Sequence, residues 1–137
     1  MKNLKIFLVL FAALLITGCS PSDHSEQAPS CRIVEQIHIE FEDGPLRAQR
    51  LYTDPEKMRR ILNYIRSLMP FTPTTEKPED SQGSLFRITL SHSDGCKRIY
   101  MQRSDRFLSE NHGPWMEINP QKAQELSLIL GEMESDR

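Results

Sequence analysis

The chain is predicted to form an α+β fold: an antiparallel sheet with two helices packed on one face, behind a cleaved N-terminal signal segment. Three observations carry this. Apolar and polar residues alternate on either side of two Asp-Gly pairs, Asp43-Gly44 and Asp94-Gly95, a strong short-range hairpin signal. Two cap-then-proline pairs, Asp54-Pro55 and Asn119-Pro120, each open a stretch with apolar residues at helical spacing. The resulting order, ββα then ββββα, groups hairpins together instead of alternating strand with helix, which favours an antiparallel sheet.

Arg32–Phe41 has Ile33, Ile37, Ile39 and Phe41 on one parity, with Val34, Gln36, His38 and Glu40 on the other, the pattern of a half-buried strand. Leu46–Tyr52 returns beside it, and Pro45 next to the turn marks an edge. A two-residue turn at Asp43-Gly44 sets Phe41 opposite Leu46 and Glu40 opposite Arg47. The first helix starts at Pro55, buries Met58, Ile61, Leu62, Ile65 and Leu68, and ends near Met69 because Pro70 forbids continuation. Pro70–Gly83 reads as a long loop.

Phe86, Ile88 and Leu90 alternate up to Asp94-Gly95, and Ile99 and Met101 alternate back. A two-residue turn there pairs Leu90 with Ile99 and Ile88 with Met101, so the apolar sets share a face. Arg87, Thr89, Ser91, Arg98, Tyr100 and Gln102 then fall on the wet face. Arg106–Ser109 and Trp115–Ile118 are short strands, with Trp115 expected in the core. The second helix turns Ala123, Leu126, Ile129, Leu130 and Met133 inward, and Gly131 is expected to fray its end.

The N-terminus is organised differently. Lys2 and Lys5 precede an unbroken apolar run, Ile6–Ile16, well short of the roughly 20 residues that span a bilayer. A basic start, a short apolar run and a small residue before the cut make a secretory signal. The closing residues, Ile16-Thr17-Gly18-Cys19, resemble the lipobox of bacterial lipoprotein precursors. That resemblance implies a diacylglyceryl group on the Cys19 sulfur, removal of Met1–Gly18, and Cys19 as the mature N-terminus. Two acyl chains on one residue meet the two-signal requirement for stable anchoring. Ser20, in the place where Asp would stand, is compatible with the outer membrane if the host has two membranes. The expected organisation is a signal peptide over 1–18, a lipidated Cys and polar tether over 19–30, and a single α+β domain over 31–137. The domain is expected to face the periplasm or cell exterior from a cell membrane or outer membrane.

With a formal net charge of −2, the chain has no bulk attraction to nucleic acid. The expected partners are the membrane, through the lipid on Cys19, and an envelope protein or cell-wall component. The sequence lacks Gly-x-Ser-x-Gly, His-Glu-x-x-His, Cys-x-x-Cys and any phosphate-cradling loop. His24, His38, His92 and His112 lie on separate segments without metal-ligand spacing. A non-catalytic binding or adaptor module, with no cofactor and no metal, is therefore expected. The alternatives are a small envelope hydrolase, or an inhibitor of a secreted hydrolase acting through Pro70–Gly83 or the Asp94-Gly95 turn. Candidate binding residues are Arg87, Arg98 and Tyr100 on the wet face with His38 beside them, since Arg and Tyr are enriched at binding surfaces. Cys31 and Cys96 form a candidate disulfide in an oxidising compartment, although strand parity sets them on opposite faces, and two free thiols remain the alternative.

The lipobox reading has a direct test. Metabolic labelling with a fatty acid should mark the wild-type chain and leave Cys19→Ser unmarked; equal labelling of the two would contradict it.

Overall fold

The structure, a computed structural model, describes residues 33–79 and 83–135. The apolar run Ile6–Ile16, the Cys19 motif, the Ser20–Ser30 stretch and Cys31 lie outside the described residues. In chain order the elements are β1 Val34–Asp43, β2 Leu46–Tyr52, α1 Pro55–Ser67, β3 Thr72–Pro73, β4 Leu85–His92, β5 Lys97–Arg103, β6 Phe107–Glu110, β7 Trp115–Glu117 and α2 Pro120–Ser135. The strands form one seven-stranded sheet in the order β2-β1-β4-β5-β6-β7-β3, with every pairing antiparallel. Both helices cover one face, so the expected α+β class holds. The addition is β3, two residues from the long loop that pair with β7 at the sheet edge.

Helix starts follow local chemistry. Asp54 caps α1 by accepting from the Lys57 N–H at 2.9 Å, and Asn119 caps α2 by accepting from Gln121 and Lys122 at 2.9 and 3.3 Å. Met58, Ile61, Ile65 and Leu68 are buried as expected, and Tyr64, three residues after Ile61, joins them. Gly131 does not end α2, which continues to Ser135. Its last turns are held from three sides. Met133 is buried and its carbonyl accepts from Lys57 Nζ at 3.1 Å; Glu132 pairs with Arg60, and Glu134 with Arg50.

The first hairpin turns one residue later than expected. Its two-residue loop is Gly44-Pro45, with Asp43 opposite Leu46 and Phe41 opposite Ala48. Gly44 takes a φ of +57°, which the fixed negative φ of Pro45 cannot supply, so glycine must come first in the turn. The shift moves partners by two positions and leaves facing unchanged. Arg47 lies opposite Glu42, and Glu40 reaches Arg87 at 3.4 Å instead. A bulge between Val34 and Gln36 changes facing at the start of β1. Val34 therefore packs on the core while Ile33 is 70% exposed.

The second hairpin departs more deeply. Its loop is Ser93-Asp94-Gly95: the His92 N–H donates to the Cys96 carbonyl and the Gly95 N–H to the His92 carbonyl, both at 2.9 Å. Gly95 has a φ of +83°, and the Asp94 carboxylate accepts from the Cys96 N–H at 3.0 Å. A three-residue loop ending in left-handed glycine is the next most common hairpin closure. It pairs Leu90 with Arg98 and Ile88 with Tyr100, one position away from the expected register. That slip turns every side chain of β5 over. Tyr100 and Gln102 face the helices and are buried at 4% and 2% exposure, while Ile99 and Met101 take the outer face.

Burying Gln102 requires partners for its amide. The Tyr64 hydroxyl of α1 donates to Gln102 Oε1 and also lies 3.3 Å from the Ala123 carbonyl of α2. Gln102 Nε2 donates to the Ala123 carbonyl at 3.2 Å and the Ser104 carbonyl at 3.4 Å. This one cluster joins both helices to the centre of the sheet. Burial, the largest cause, pushes the Tyr64 phenol well above the ordinary tyrosine range, with the Glu125 charge adding to it and the Gln102 hydrogen bond opposing it.

Tyr64→Phe should therefore cost about 1–3 kcal/mol, because it leaves the Gln102 oxygen buried without its donor. A phenol whose folded-state pKa is raised contributes stability that is present below its unfolded value, about 10, and is lost as pH climbs past it. Denaturant titrations across the alkaline range should show wild-type stability falling above that point and a flatter fall in Tyr64→Phe; an unchanged alkaline limb in the variant would contradict the burial of this phenol.

Candidate binding groove

The four binding residues expected on one sheet face do not share it. His38 and Arg87 lie on the outer face, where His38 stands between Leu51 and Thr89 and Arg87 between Glu40 and Met101. Arg98 and Tyr100 lie on the helix-covered side. There both converge on Glu110, with Arg98 Nε at 3.4 Å and the Tyr100 hydroxyl at 3.5 Å from its carboxylate. Burial, the largest cause, raises the Tyr100 phenol, the Glu110 charge adds to this, and Arg98 opposes it. The sheet thus separates Arg98 and Tyr100 from Arg87 and His38, because of the β5 register. Trp115 is half-buried and faces outward across from Ser109. Cys96 is exposed beside the β4–β5 turn, and its candidate partner Cys31 lies outside the described residues.

A concave feature lies elsewhere, between β2 and the last turns of α2. Phe41 and Phe86, with ring centroids 4.7 Å apart and planes tilted by 41°, form its floor together with Ile39. One wall is Ala48, Gln49, Arg50 and Tyr52 of β2; the other is Ser127, Leu130, Gly131 and Glu134 of α2. The groove encloses about 310 Å³. Small residues make it. Ala48 is short where its neighbours are long, and a Cβ on Gly131 would meet nothing within 4 Å. Arg50 closes the mouth by pairing with Glu134 at 2.6 Å, while its Nη1 donates to the Gln49 carbonyl at 2.9 Å.

Its chemistry suits recognition. An aromatic and aliphatic floor lies among one amide, Gln49, two hydroxyl-bearing residues, Tyr52 and Ser127, and one ion pair, the mix that holds an apolar group and orients it. No histidine or cysteine among the described residues lines it, and its carboxylate, Glu134, is matched by Arg50. Among the described residues no group of three or more His, Cys, Asp or Glu side chains is placed to hold a metal ion. No described helix is long and apolar enough to cross a membrane. The sequence carried one signal for the groove, a glycine inside an otherwise amphipathic helix, and a glycine there often has a packing or functional reason. No family model matches the chain, and neither a curated protein nor a solved structure matches it.

Proposed function

We propose that the chain is a lipid-anchored lipoprotein of a bacterial cell envelope whose α+β domain binds a partner without transforming it. The observation that carries the binding reading is the groove beside β2. At about 310 Å³ it lies at the small end of ligand-site volumes, and it suits one aromatic or branched side chain. Ile16-Thr17-Gly18-Cys19 supports the anchoring half of the reading. The partner class is an envelope protein or a cell-wall component presenting an apolar group within reach of a tethered domain. The inhibitor alternative loses support at one of the two segments it would use, Pro70–Gly83. Thr72–Pro73 is paired into the sheet edge, and Glu76 is held by Arg106 at 2.8 Å, so this part of the loop does not project as a wedge.

A photo-reactive residue at Ser127, on the groove wall, tests the reading in intact cells. A discrete crosslinked product should form and should disappear when Gly131→Leu fills the groove. Replacing a helix-interior glycine with leucine favours the helix by roughly 1 kcal/mol, so the loss would not be one of folding. No product at Ser127, or a product that survives Gly131→Leu, would overturn the assignment of the groove.

A further inference from the structure

The outermost strand beside the groove, β2, is itself an open surface. It is the terminal strand of the sheet, and Leu46–Leu51 are all exposed. Leu46 is 60% and Leu51 58% exposed, two of the most exposed large apolar side chains among the described residues. Its pairing with β1 is regular from Asp43–Leu46 to Ile37–Tyr52, so no bulge twists this edge away. An edge of this kind is a template for another strand.

The charges on β2 bear on what that strand is. Arg47 is matched by Glu42 at 3.9 Å and Arg50 by Glu134 at 2.6 Å, so both arginines have acids in their own chain. The strand does not call for an acidic partner, and local neutrality lets a like strand approach. The backbone sets the register. The two-residue turn makes Asp43–Leu46 a hydrogen-bonded pair, and such pairs alternate along an antiparallel ladder. Arg47, Gln49 and Leu51 are therefore the residues whose N–H and C=O point away from β1; the Gln49 carbonyl, which accepts from Arg50 Nη1 at 2.9 Å, keeps a second lone pair for a partner strand. Gln49 is the central one of these three and of the seven-residue strand.

We propose that β2 pairs antiparallel with β2 of a second copy of this chain, about a two-fold axis at Gln49. In this register Gln49 faces the partner's Gln49, Arg47 faces the partner's Leu51, Ala48 the partner's Arg50 and Leu46 the partner's Tyr52. Both exposed leucines gain a neighbour and no arginine faces an arginine. Centring the axis on Arg50 would oppose that residue to itself; centring it on Ala48 would bring Pro45 opposite Leu51. The axis is perpendicular to the sheet, so both helix layers stay on one side. Each Arg50 then lies across from Ala48, a groove-wall residue of the other copy, and the pair forms one sheet with two grooves opening on the same side. This pairing does not depend on what the grooves hold.

The test uses the full chain in membranes, with Cys31→Ser and Cys96→Ser to remove other thiols. Residues facing each other in a hydrogen-bonded antiparallel pair have Cα atoms about 5.5 Å apart, within disulfide range. Under mild oxidation Gln49→Cys should give a disulfide-linked dimer. Arg47→Cys, whose symmetry mate lies several residues along the strand, should not. Adding Leu51→Lys, which sets a lysine against the partner's Arg47, should abolish the Gln49→Cys crosslink while leaving the exposed strand folded. Running the series again on the Cys19→Ser chain at matched concentration separates pairing from anchoring, and a crosslink specific to position 49 in either setting supports the pairing. Gln49→Cys chains that stay monomeric in both settings, or crosslinking equal at positions 47 and 49, would overturn it.

Discussion

Gly95, at a φ of +83°, closes a three-residue turn, and the facing of every strand from β5 onward follows from it. With His92 bonded to Cys96 across that turn, β5 enters the sheet with Tyr100 and Gln102 toward the helices. β6 and β7 take their positions from β5, and α2 starts directly after β7. The cost of this register is an amide in the core, and the structure meets it at one point. Tyr64 from α1 and the Ala123 carbonyl from α2 satisfy Gln102, so the same cluster that makes the register tolerable also locks both helices onto the sheet. A buried polar group specifies an arrangement only when every member is satisfied; here the amide oxygen and both N–H directions have partners.

The groove follows from where that arrangement leaves α2. Starting after β7, the helix crosses toward the opposite edge and ends beside β2, where Glu134 meets Arg50. Ala48 and Gly131 leave space open beneath its end. The exposed ion pair at the mouth contributes at most about 1 kcal/mol to stability. The groove and the open edge of β2 therefore share one corner of the domain, one facing toward the helix layer and the other along the sheet.

What could be read from the sequence is what local chemistry decides. Asp54-Pro55 and Asn119-Pro120 start the helices because a cap and an N1 proline act within one turn. The alternation in β1 and β4 shows their inward faces because a branched apolar residue at every second position has one sensible orientation. β5 is different. Either Ile99 and Met101 or Tyr100 and Gln102 can face inward, and apolar residues are the natural choice until a partner for Gln102 is known. That partner is Tyr64, 38 residues away. Asp94-Gly95 likewise fits the two positions of a short loop or the last two of a longer one. The groove depends on Arg50 and Glu134 meeting across 84 residues, and β3 on a two-residue pairing that includes a proline; neither leaves a local pattern. The four residues expected on one binding face were separated by the same β5 register.

That register is most directly tested by proton–proton contacts between β4 and β5. Because His92 and Cys96 are hydrogen-bonded, alternation along the ladder makes Thr89 and Ile99 a non-hydrogen-bonded pair, with Cα atoms only about 4.5 Å apart. An NMR spectrum of the domain should show a strong nuclear Overhauser effect between the Hα protons of Thr89 and Ile99. A strong effect between the Hα protons of Leu90 and Ile99 in its place would mean that the turn has two residues and that Gln102 faces solvent, and it would contradict this account of the fold.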